Sequence, residues 1–190
     1  MNFQPSRVLY AAECLLKQLG WEDKEPPFSP LEAIRSLYEG RVIISTTAEF
    51  SKGENGCVYL DPDIPEATFI ALNRNDPLCT KTATLAHELG HLFLGHPLGG
   101  LGGCLCRIEG QVSEGNVIER EANTFMSEFL VPLNTLDRYF SKDISLMRKK
   151  DPEGFQVETD LLSLQFGVST AFVLTQLWRL HRQRKDRWGL

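Results

Sequence analysis

The stretch TATLAHELGHLFLGH (82–96) decides how this chain is read. It sets His87 and His91 four residues apart, with Glu88 directly after the first of them. On a helix, residues four apart share one face, so both imidazoles can reach a single point. Leu85, Ala86, Leu89, Leu92, Phe93 and Leu94 surround these groups on nearly every side. A helix that is apolar all round is a buried one. Burying two imidazoles and a carboxylate without partners would cost roughly 2–7 kcal/mol for each unpaired polar group. A metal ion removes that cost. The carboxylate beside the first imidazole is then the group that polarises a water, the role of a general base.

Two histidines do not complete such a centre, because a catalytic zinc takes three protein ligands and a water. A longer motif would need a glycine at position 94 and a histidine at position 97. The chain has Leu94 and Pro97 there, with His96 one residue off register. The third ligand is therefore sought on a following helix. The first turns of VIEREANTFMSEFLVP (117–132) supply two candidates, Glu119 and Glu121.

HELGH (87–91), then the frame Glu119-x-Glu121-Ala122-Asn123-x-Phe125 and a Leu130-Val131-Pro132 stop, resembles the ImmA/IrrE family of metallopeptidases. ALNRN (71–75) and TLAH (84–87) match that family's approach to its metal helix, and the resemblance covers roughly residues 30–135. It implies a zincin-like core with Glu119 as third ligand and Asn123, one turn on, as hydrogen-bond support for a ligand histidine. Glu121 stays open as the rival, since helix phase is not fixed by pattern. Zn²⁺ is the implied ion, with Mn²⁺ or Fe²⁺ also suited to a His₂Glu set. The implied activity is endopeptidase cleavage of a helix-turn-helix repressor, answering stress or DNA damage in a phage, mobile-element or defence system. The alternative is a non-catalytic regulator or toxin–antitoxin partner that keeps the zinc site, which the intact Glu88 opposes.

Around this core the periodicities predict an α+β fold. Residues 5–19 and 30–39 read as helices; 41–46, 57–61 and 67–73 as three short strands; 78–95 and 117–130 as helices, with a further turn at 133–140. Gly53, Asn55 and Gly56 signal a turn before the second strand. KKDPEG (149–154) reads as a linker, dividing a metallopeptidase domain, 1–148, from a C-terminal helix-turn-helix-like segment, 149–190. The last two helices, 157–166 and 170–185, flank GVS (167–169). An extended substrate is expected to pair with strand 67–73 as a sheet edge, and Tyr139 is a candidate for oxyanion stabilisation.

Two segments carry separate expectations. PLGGLGGCLC (97–106) tethers both metal helices and holds Cys104 and Cys106. A thiolate from either is a candidate inhibitory fourth ligand that displaces water, a cysteine switch. The tail RLHRQRKDRW (179–188) is cationic although net charge is −5. Arg179, Arg182, Arg184 and Lys185, with Trp178 and Trp188 nearby, are candidate contacts to single-stranded DNA acting as an activator. The apolar Phe172, Val173, Leu174, Leu177 and Trp178 argue against base-specific reading by the last helix. Five cysteines (14, 57, 79, 104 and 106) without Cys-x-x-Cys spacing exclude a disulfide framework and suit a reducing cytoplasm. No signal sequence is expected, since MNFQPSRVLYAAECLLKQLG (1–20) lacks a basic start followed by an unbroken apolar stretch, and no membrane partner, since no apolar run nears 18 residues.

Overall fold

The computed structural model describes residues 3–47, 50–51, 53–98, 105–108 and 117–188, with 105–108 and 187–188 described through the backbone alone. Contacts divide the chain into two compact units, Met1–Lys24 with Ser29–Phe129 and Glu25–Phe28 with Leu130–Leu190.

The first unit holds α1 (Pro5–Gln18), α2 (Pro30–Tyr38), β1 (Val42–Thr47), β2 (Glu54–Leu60), β3 (Thr68–Asn73), α3 (Leu78–Leu94), β4 (Leu105–Ile108) and α4 (Val117–Leu130), up to Phe129. Ser29 caps α2 by accepting from the Glu32 amide at 3.2 Å, with Pro30 at the first helical position. The three expected strands are present, and β4 adds a fourth to give the order β1-β3-β2-β4. β1 runs parallel to β3, with Ile44 opposite Ile70. β2 lies antiparallel to β3, with Val58 opposite Ile70, and antiparallel to β4. β3 is thus flanked on both sides. Strand 67–73 is not the sheet edge expected of it, because its backbone hydrogen bonds are already spent on β1 and β2.

The Asn55–Gly56 pair also departs from expectation. Instead of turning the chain, both residues lie inside β2. Asn55 donates through Nδ2 to Asp76 Oδ2 at 2.9 Å, and Asn73 Nδ2 donates to the Glu54 carbonyl at 3.0 Å. These side-chain ties hold the strand where local propensity alone would bend it. Gly56 serves packing: a Cβ there would stand 2.6 Å from Thr84 Cγ2 and 2.7 Å from the Ala71 carbonyl oxygen. The sheet face bearing Gly56, Val58, Ile70 and Leu72 therefore lies directly on α3. Val58 and Ile70 are fully buried.

α3 is buried without interruption from Ala83 to His91. Its other side meets α4, where Phe93 packs on Phe125 with ring centroids 5.7 Å apart. Phe125 stacks on Phe129, which meets Trp21 after α1. The helix that carries the HELGH motif is thus the central layer of this unit.

The second unit holds α5 (Leu133–Tyr139), α6 (Ile144–Lys150), α7 (Pro152–Phe166) and α8 (Thr170–Trp188). The division falls at Phe129/Leu130 rather than at 148/149, and KKDPEG is no linker. Lys149 and Lys150 close α6, while Asp151 caps α7 by accepting from Gly154 N at 3.0 Å, with Pro152 in its first turn. An Asp-Pro pair is a helix-start signal as well as a turn signal. α7 and α8 meet at 105°, around Gly167 in the left-handed region (φ 67°) and Ser169, whose Oγ accepts from Phe172 N. This is a helix-turn-helix angle. Phe140, Phe155, Phe166, Val173 and Leu177 form the core of this unit. No single described helix is long and apolar enough to cross a membrane.

Gly56→Ala tests the sheet-to-helix contact. The new methyl must displace backbone, so the variant is expected to lose about 1–3 kcal/mol of unfolding free energy in guanidinium titration; a loss below about 0.5 kcal/mol would deny the close approach.

Candidate metal centre

His87 and His91 stand one turn apart on α3, both essentially without solvent contact. Glu119, in the first turn of α4, meets them. Gly90 permits this. A Cβ at that position would lie 3.1 Å from Phe125 Cδ1 and 3.3 Å from the Ala122 Cα, so α3 and α4 approach almost backbone to backbone. Glu119 lies one turn before Ala122 and is carried to the imidazoles by that approach.

The Nε2 atoms of His87 and His91 are 3.0 Å apart. Glu119 Oε2 is 3.1 Å from His87 Nε2, and Glu119 Oε1 is 3.4 Å from His91 Nε2. Among the described residues, these three are the group of metal-ligating side chains that converge. Donors held at about 2.0–2.1 Å around a tetrahedral zinc stand about 3.3–3.4 Å from one another, so the observed spacings fit one small cation. The chemistry fits as well: two imidazoles and a carboxylate are a hydrolytic zinc set. Burial, with the neighbouring His87 and His96, pushes the His91 pKa down to about 2. His91 is therefore neutral, the ligating form.

Each ring is held from behind. His87 Nδ1 lies 3.2 Å from Asn123 Oδ1; that oxygen can only accept, so His87 carries its proton on Nδ1 and turns a bare Nε2 to the cluster. His91 Nδ1 lies 2.9 Å from His96 Nδ1, and His96 Nε2 lies 3.1 Å from Glu121 Oε2. Glu121 is thus engaged by His96 rather than by the cluster. The sequence reading missed His96, which was weighed only as an extra ligand. Its signal was present: a histidine just past the Gly95 cap of α3 returns toward the last helical turn, and its amide bonds the His91 carbonyl at 2.9 Å.

Glu88 is completely buried in the same turn as His87. Tyr139 lies in the second unit, edge-on to Phe166 at 5.8 Å. Cys104 lies outside the described residues, and Cys106 is described only as backbone, opposite Cys57 in the sheet register.

The cationic tail is partly consumed by its own unit. Arg184 donates from Nε to Asp137 Oδ1 and from Nη1 to the Lys142 carbonyl, both at 2.8 Å, and also bonds the Phe140 carbonyl. Arg179 donates to Gln176 Oε1 at 2.6 Å. Arg182 and Lys185 remain exposed. Of the expected nucleic-acid contacts, Arg184 is therefore a structural clamp between α5 and α8.

No curated protein matches the chain. A solved structure described as a Mycobacterium tuberculosis transcriptional regulator shares the fold, with a TM-score of 0.52 at 16% identity over 90% of this chain. The chain spans 46% of that regulator's length, so the likeness concerns one part of it. The family model described as IrrE N-terminal-like domain, a peptidase family, matches residues 46–177. With most of its length covered by that match and both metal helices inside it, the chain belongs to the IrrE N-terminal-like peptidase family.

Proposed function

We propose that the chain is a zinc-dependent endopeptidase, with His87, His91 and Glu119 as ligands and Glu88 as general base. The observation that carries this reading is the meeting of two imidazole nitrogens and a carboxylate within 3.0–3.4 Å, beside a fully buried glutamate. A bound zinc supplies Lewis-acid polarisation of a scissile carbonyl and acidifies water near it. Glu88 takes the proton of the attacking water and passes it to the leaving amine nitrogen. Asn123 keeps the His87 ring in register through the Nδ1 contact. An extended substrate adds to an outer strand of the sheet, β1 or β4, since β3 is enclosed.

The substrate we propose is a helix-turn-helix repressor whose cleavage answers stress or DNA damage, a proposal that rests on the family's habits. A thiolate of Cys104 or Cys106, on the segment joining the two metal helices, acts in the same proposal as a latch. Exposed Arg182 and Lys185 are the tail residues left for single-stranded DNA. A second reading, a regulator that binds without cutting, has in its favour the fold shared with a protein described as a transcriptional regulator.

Two experiments separate these readings. Purified chain should hold about one zinc, removable by chelator, and His87→Ala or Glu119→Ala should lower the metal content sharply by elemental analysis; full loading of both variants would sink the ligand assignment. Glu88→Gln should keep its zinc yet cleave a candidate repressor at least about 100-fold more slowly. Equal effects of wild type and Glu88→Gln on that repressor would establish the regulator reading instead.

A further inference from the structure

Behind the metal group, in contact with His91, runs a pair of side chains that the proposed hydrolysis does not use, His96 and Glu121. Starting from its far end, Glu121 is a carboxylate with 17% side-chain exposure, and a carboxylate only accepts hydrogen bonds. His96 Nε2, 3.1 Å away, must therefore be the protonated nitrogen of that ring. A neutral imidazole has one proton, so His96 Nδ1 is a lone pair. It faces His91 Nδ1 at 2.9 Å, and that contact is a hydrogen bond only when His91 Nδ1 carries the proton. His91 Nε2 is left bare, pointing at Glu119 and His87. Each proton position follows from the one before it. The order runs from the carboxylate inward.

We infer that His96 and Glu121 are positioning residues, a carboxylate–imidazole relay that locks His91 into the tautomer and ring orientation needed to bind a metal. The inference rests on the reading of His87, His91 and Glu119 as a metal site, and does not depend on peptidase activity. The geometry supplies the reason for two residues where His87 needs one. Asn123 is a direct acceptor for His87, whereas His91 has a ring as its outer partner, and a ring can donate or accept. Without Glu121, His96 can turn Nδ1–H toward His91 and force the proton of His91 onto Nε2. The ligating lone pair is then lost. Sequence order allows the arrangement because Gly95, in the left-handed region (φ 67°), ends α3 and folds His96 back over the turn that holds His91.

The test uses full-length metal-free protein and zinc itself, with affinity read by chelator competition. His96→Ala is expected to weaken zinc binding about 10–100-fold, and Glu121→Gln to weaken it less, because an amide can still accept. The double variant should match His96→Ala alone, as members of a series do; losses that multiply would overturn the relay. His96→Asn, which returns an acceptor near the Nδ1 position, should recover most of the affinity, while a merely structural role predicts no such rescue. Nitrogen-15 NMR of the metal-free wild type should show His91 protonated on Nδ1; protonation on Nε2 would overturn the inference. Should His96→Ala not fold, Glu121→Gln with the NMR signature decides. Wild type that binds no zinc would instead defeat the metal site itself, whereas tight binding by every variant would defeat only the relay.

Discussion

Four hydrogen-bond acceptors pointing at one another, two on buried imidazoles and two on a half-buried carboxylate, define the physical problem this fold solves. The Nε2 atoms of His87 and His91 and both oxygens of Glu119 converge within 3.0–3.4 Å. Asn123 and the His96–Glu121 pair direct the imidazole protons away from that point. Lone pairs gathered in this way repel one another, and in a medium of low dielectric the repulsion is poorly screened. A cation at the centre turns the same arrangement from a cost of several kcal/mol into a binding energy. The burial of α3, the glycine at its contact with α4 and the polar ties behind each ring all serve that convergence.

Rigidity follows from where the two close approaches occur. On one side of α3, Gly56 brings β2 against Thr84; on the other, Gly90 brings α4 against the motif helix. A side chain at either place would push a layer outward by a fraction of an ångström or more, and ligand geometry tolerates little of that. The helix is therefore clamped between sheet and partner helix, and its imidazoles inherit that fixed position. Loops do not hold the three ligating groups; helices do.

What the sequence made legible was what depends on local period. The apolar envelope of HELGH placed α3, the four-residue spacing placed both imidazoles, and Ser29-Pro30 placed the start of α2. Glu119 is singled out by the family frame rather than by periodicity, because one helical phase cannot choose between Glu119 and Glu121 until the facing helix is known. The misreadings share a cause. Asn55–Gly56 is a turn signal that a distant Asp76 overrides; Asp151-Pro152 suits a linker and a helix start equally; the enclosed position of β3 depends on β1 and β2, neither adjacent in a way that composition reveals. His96 was missed as a partner although Gly95 before it signals the chain reversal that brings its ring to His91.

In the second unit a familiar angle comes with its polar side chains already engaged. α7 and α8 cross at 105°, as a helix-turn-helix does, yet the polar side chains that would read bases are otherwise engaged. Gln176 is buried and binds Arg179; Thr170 donates to Asp160 Oδ1 at 3.0 Å; Arg184 clamps Asp137. Asp160 deserves most weight, because it places a negative charge at the amino end of α8. In a reading helix that end meets phosphates and base edges. Here a carboxylate of the chain itself occupies it, and a phosphate arriving there would meet like charge. The corner between α7 and α8 closes a small apolar core around Phe155, Phe166 and Val173, and the angle alone assigns it no role.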